Sequence, residues 1–204
     1  AFRTQERAVT TADWVAHAER FEGVQRAQAE MRWTGSWYSV FLTIDRVNGA
    51  PVRGDVDFST RLLAHLDHHR VAGYDLELRD PVYVALDIEL LICLKPGFTA
   101  GDLMNRLMEV FSSGYRTDGV RGMFHPDNFT FGDPLFLSTL YAAALAVDGV
   151  ASVQPQVFKP RGKSAGTEID DGVIVPGGAA ILRCDSDRNR PENGSISFDI
   201  REGS

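Results

Sequence analysis

The amino-acid order predicts an α+β protein built as two small split-βαβ (ferredoxin-like) units, with helices packed on one face of mixed sheets. Three observations carry that expectation. Apolar stripes at helical spacing alternate along the chain with short β-forming runs. The strand, loop and helix read over residues 39–70 are matched by those over 82–113. The helix-to-strand step Phe21-Glu22-Gly23-Val24 recurs as Val147-Asp148-Gly149-Val150. The repeat sets the expected division: residues 1–80 form the first unit, and residues 81–204 form the second, with an inserted loop at 114–137 and a C-terminal hairpin.

Each element has a local reason. Thr10 and Asp13 have capping-box spacing, which places a helix over residues 11–21 with Trp14, Val15, Ala18 and Phe21 as its apolar stripe. Val24 to Trp33 and Ser39 to Ile44 read as a hairpin around Thr34-Gly35-Ser36. Asp55 caps a second helix to about Arg70, whose inward side is Phe58, Leu62, Leu63 and Leu66, and Gly73 ends it. Tyr74 to Leu78 is extended, and Val82 to Leu94 is a long strand whose few polar residues suit the middle of a sheet, buried on both faces. Thr99 and Asp102 repeat the capping box before a third helix carrying Leu103, Leu107, Val110 and Phe111. Ser138 is placed to cap a fourth helix, which hands over at Asp148-Gly149 to a strand from Val150 to Phe158. The polar run Lys159 to Gly166 reads as mobile, and short strands near 173–175, 179–183 and 195–200 close the chain.

Composition narrows the function classes. With 44% hydrophobic and 24% charged residues among 204, the chain is ordinarily globular, with enough apolar material for one large or two small cores. Its 28 acidic against 21 basic residues give a formal charge of −7, which repels phosphate backbones and argues against nucleic acid and anionic membranes as partners. Two cysteines, Cys93 and Cys184, are too few for a disulfide scaffold. No apolar run is long enough for membrane insertion, and the absence of an initiating methionine reads as processing or as a fragment of a longer protein.

Candidate chemistry is sparse. In the segment HLDHH, His65 and His69 lie four apart on one helix face, a spacing compatible with zinc, but no third ligand and no general-base glutamate accompany them; a solvated helix face is the plainer reading. Asp185, Asp187 and Asn189 imitate the start of a calcium loop that fails at Arg190 and Ile196, where glycine and glutamate are needed. Asp118, His125 and Asp127 could form an acid-base set, yet no nucleophile elbow or phosphate-cradling loop accompanies them. The aromatic loop Phe124, Phe129 and Phe131, and the Trp33 and Trp37 pair at the hairpin, are candidates for protein contact; packing within their own unit is the alternative for both.

Several stretches together carry a resemblance: RGMFHPDNFTFG (121–132) feeding a Leu-Ser-x-Leu-Tyr helix that ends in DGVASV, RWTGSWYSVFLTID (32–45), Ala72-Gly73 before YDLE, CLKPGF (93–98), EVFSSG (109–114) and DSDRNRPENGSISFDI (185–200). In this order the chain resembles the C-terminal region of baseplate J-like proteins, wedge components of contractile phage tails and related contractile injection systems. The resemblance implies a structural role without cofactor or reaction. Its implied partners are other baseplate wedge subunits, the central spike or hub, and sheath proteins. It also implies assembly in the bacterial cytoplasm into a phage tail or phage tail-like particle. A small-molecule-binding or enzymatic α+β domain is the alternative, since this fold class hosts many functions. A zinc-bound regulatory module resting on His65 and His69 is a third.

Overall fold

A computed structural model describes residues 7–70 and 73–202; Ala72, quoted in the resemblance, lies outside the described residues. The chain divides into two compact units, one ending at Val82 and the next beginning at Tyr83.

In the first unit, helix α1 (Thr11–Ala18) is followed by strands β1 (Val24–Trp33) and β2 (Tyr38–Arg46), helix α2 (Val56–Asp67) and strand β3 (Tyr74–Arg79). The capping box that opens α1 is present: Asp13 N donates to Thr10 Oγ1 at 3.2 Å, and Thr10 N donates to the Asp13 carboxylate at 2.8 Å. The helix stops at Ala18 instead of reaching residue 21, because the chain folds back there and Phe21 N donates to Ala18 O at 3.0 Å. Asp55 caps α2 as expected, accepting from Phe58 N at 3.0 Å.

The three strands form one sheet in the order β1-β2-β3, antiparallel between β1 and β2 and parallel between β2 and β3. On one face, Val40, Leu42 and Ile44 of β2 join Trp14, Phe58, Leu62 and Leu66, each at most 1% exposed, at the centre of the core. Each such side chain contributes roughly 1.5–3 kcal/mol by leaving water. On the opposite face Phe41 lies beneath the Arg79 guanidinium, 3.7 Å from the ring centroid, so a charged side chain shields the aromatic ring.

The second unit is centred on β4 (Val82–Leu94), followed by α3 (Ala100–Val110), β5 (Leu135–Phe136), α4 (Leu137–Leu145), β6 (Val150–Pro160), α5 (Glu168–Asp171), β7 (Val173–Ile174), β8 (Ala180–Arg183) and β9 (Ser195–Glu202). β6 pairs antiparallel and β9 parallel with β4, and β8 also pairs with β4; β5 and β7 form a separate two-residue ribbon. The core gathers Leu86, Ile88, Leu90 and Ile92 of β4 with Leu103, Leu107 and Phe111 of α3 and Leu140 of α4. At Gly149, φ is +102° and an added Cβ would stand 2.6 Å from the Phe98 ring, so the step into β6 requires glycine twice over.

The α+β class holds, and several details differ from the expectation. In each sheet the parallel strands are direct neighbours, β2 beside β3 and β4 beside β9, so no strand splits either pair. β4 is central but buried on only one face: its even-numbered residues from Leu86 to Leu94 are buried, whereas Asp87, Glu89, Leu91 and Cys93 are half-buried. The last two strands do not form a hairpin, because both hydrogen-bond to β4. Ser138 does not cap α4; the N-cap is Phe136, and the first helical amide, Leu137 N, donates to Gly172 O at 2.8 Å. The run 159–166 is partly structured, since Lys159 and Pro160 extend β6 and Arg161 bonds Ala85 O through its amide and Asp87 through its guanidinium.

Candidate interaction surface

The tip of the β1–β2 hairpin is fixed by two bonds into one carbonyl: Thr34 N and Thr34 Oγ1 donate to Trp37 O at 3.0 and 2.9 Å. Antiparallel register then places Trp33 opposite Tyr38, and parallel register places Tyr74 beside Tyr38. The Trp33 and Tyr38 rings meet edge to face at 5.2 Å, with Tyr38 and Tyr74 6.2 Å apart. Trp37 Nε1 donates to Asp75 at 2.5 Å, which holds its indole across the start of β3. Trp33, Trp37 and Tyr38 are 58, 52 and 50% exposed. A cavity of about 410 Å³ lies beside them, lined by Trp37, Arg70, Gly73, Tyr74 and Asp75. Exposed aromatics that touch one another at a sheet end form the kind of surface that binds protein, because they bury large area with little loss of side-chain freedom.

The other three aromatic candidates sit elsewhere. Phe124 and Phe129 are 3 and 9% exposed, with rings stacked at 6.1 Å, and Phe131 packs partly buried against the same core. Hydrogen bonds fold their loop inward: Phe124 N donates to Ser112 O at 3.1 Å, and the Asn128 side-chain Nδ2 donates to Gly122 O and Met123 O. Phe124 and Phe129 are therefore buried in the core of the second unit, the alternative weighed for them from the sequence.

The histidines form a packed cluster. His65 Nε2 lies 3.1 Å from His17 O, the His17 and His69 rings stack at 3.8 Å, and the His65 and His69 rings meet edge to face at 5.4 Å. Face-to-face imidazoles direct their ring nitrogens past one another, and among the described residues no group of three His, Cys, Asp or Glu is arranged to hold a metal ion. Burial, reinforced by His69, Arg20 and His65, holds the His17 imidazole below its ordinary pKa. His17 carried no sequence signal, since nothing linked it to the HLDHH segment before α1 and α2 were seen to pack together.

Of the polar candidates of the second unit, His125 and Asp127 meet within one turn, with His125 Nδ1 3.9 Å from the Asp127 carboxylate, while Asp118 pairs elsewhere. Asp118 accepts from Val120 N and pairs with Arg116, whereas Asp127 pairs with Arg121 at 3.0 Å. His125 is buried, and its Nδ1 accepts from Asp127 N at 3.2 Å, a turn-forming bond. Asp185 is occupied by Arg183 and by Asn193 Nδ2, and Asp187 accepts from Asn189 N, so the calcium-like segment is a self-satisfied turn. Cavities of about 250 and 350 Å³ lie at the Leu94 to Phe98 turn and between α3 and the β8–β9 connection. No described helix is long and apolar enough to cross a membrane.

Tyr74 and Asp75, both part of the surface, were missed as site residues because only the parallel register of β3 brings them to the hairpin. Residues 6–79 match the family model described as the Baseplate J-like central domain. The match lies on the first unit, so the 121–132 loop, which resembles a C-terminal region, is outside it. No curated protein matches the chain. Among solved structures, the cryo-EM structure of the anti-feeding prophage (AFP) baseplate, 6-fold symmetrised, is similar at 13% identity with a TM-score of 0.45, covering 88% of this chain. The chain spans 38% of the length of that one.

Proposed function

We propose that this chain, a baseplate J-like protein through its residues 6–79, serves as a structural wedge element of a contractile injection-system baseplate. It works by the surface it offers to neighbours and not by turnover. The observation that carries the reading is the family match lying on the unit that bears the exposed Trp33, Trp37 and Tyr38. Its partners are the adjoining wedge subunits, the central spike or hub and the sheath proteins, met during assembly in the bacterial cytoplasm. The aromatic cluster supplies anchors of the type that dominate binding energy when buried against a partner.

Replacing Trp33 and Trp37 together with alanine tests this. Both are more than half exposed, so the variant folds with an unchanged melting temperature, and its yield in purified particles falls several-fold. Incorporation at the unmodified level by a folded double variant would overturn the assignment of this surface.

A further inference from the structure

Strand β1 is an edge of the first sheet: among the described residues, no strand pairs with its far side. Which of its backbone groups point outward follows from two independent bonds. Thr34 N bonding Trp37 O makes Thr34 and Trp37 a hydrogen-bonded pair, so by alternation Trp33, Met31, Ala29 and Ala27 direct their N–H and C=O away from β2. Ala27 N donates outward to the Glu19 carboxylate at 3.2 Å, which agrees with that parity and closes one end of the edge. From Ala29 to Trp33, no such bond closes the edge among the described residues.

The side chains along this stretch are complementary to themselves when reversed. Reflected about Met31, an antiparallel copy sets Glu30 opposite Arg32 and Arg32 opposite Glu30, and it sets the small Ala29 opposite the large, 58% exposed Trp33. Within the strand Glu30 and Arg32 already form a two-pronged ion pair at 2.7 and 2.8 Å on the sheet face away from the helices. A second strand would extend this pair into a four-charge ladder across a closely spaced position. Outward-pointing residues would meet outward-pointing residues, so every facing N–H would find a C=O.

We propose that β1 pairs edge to edge and antiparallel with β1 of a second copy of this chain, about a two-fold axis at Met31, joining two three-stranded sheets into one of six strands. The contact is isologous: the same patch serves on both copies. A five-residue ribbon with its flanking aromatics is small beside the roughly 1,200 Å² of a stable interface, so the dimer is concentration-dependent in solution.

Light scattering and sedimentation of the purified chain over a wide concentration range test the proposal. The unmodified chain self-associates. Glu30→Arg leaves only positive charge at the ladder and Arg32→Glu only negative, and each raises the concentration at half-association by roughly tenfold or more. An equimolar mixture of these two variants associates again, because one edge then complements the other. Met31→Pro removes an outward N–H without touching the β1–β2 ladder, and it gives a folded monomer. A chain that stays monomeric throughout, charge variants that associate as the unmodified chain does, or a mixture no better than either variant alone would each overturn the proposal.

Discussion

Phe124→Ala separates a core aromatic from a surface one. Phe124 is 3% exposed, its ring stacks on Phe129 at 6.1 Å and tilts against Phe111 at 6.3 Å, and Phe111 in turn meets Phe198 of β9 at 5.4 Å. Truncation removes an inner ring of that row and leaves a void that Phe111 and Phe129, themselves fixed by α3 and the folded loop, fill only in part. Core Phe→Ala changes cost about 3–5 kcal/mol, of which aromatic pairing supplies roughly 0.5–1.5 per pair. For a unit of this size that corresponds to a fall of roughly 10–20 °C in melting temperature. Differential scanning calorimetry of the variant reads the shift directly, and Trp33→Ala, at an exposed site, serves as the control within about 0.5 kcal/mol. A Phe124→Ala protein melting within about 2 °C of the original would refute the core assignment and return the loop to the surface.

Two further predictions rest on titration and burial. The His17 pKa is depressed in the folded state by burial and by His69, Arg20 and His65, with Asp13 acting in the opposite sense, so the unfolded chain takes up the proton first. The stability that neutral His17 protects is present above the unfolded value of about 6.5 and is lost as pH falls from there toward the lower folded value. Denaturant titrations between neutral and mildly acidic pH should show this loss in the original chain and a flatter profile in His17→Gln; equal slopes would contradict it. The Cys184 thiol is 1% exposed and pushed up to about 12, chiefly by burial, so it should react with a thiol reagent only after unfolding. Fast labelling of Cys184 in the native protein would show that the second core opens readily.

Local chemistry made much of the fold legible. The Thr10 and Asp13 box, the Asp55 cap and the Thr99 cap are contacts within four residues, and all three appear where the spacing put them. What stayed hidden depends on partners distant in sequence. Ser138 has the right identity for a cap, but a carbonyl from Gly172 takes that role, which no window around residue 138 reveals. The loop 121–132 is rich in turn formers and so looks exposed, while packing of Phe124 against Phe111 and the second core draws its phenylalanines inward. The same limit hid His17 and the pairing of Tyr74 with Tyr38, each set by how elements meet. At Trp33 and Trp37 the sequence left packing in the hairpin and an exposed patch both open, and the two side chains are more than half exposed.

The proposed role is that of a shape-giving part of a baseplate. Cryo-EM of the contractile particle from the producing cells tests that most directly, compared with particles from cells in which the chain is deleted. The account predicts density for residues 6–79 within the baseplate, with Trp33 and Trp37 against a neighbouring subunit, and defective baseplates in the deletion. Complete, contraction-competent baseplates formed without the chain would contradict it.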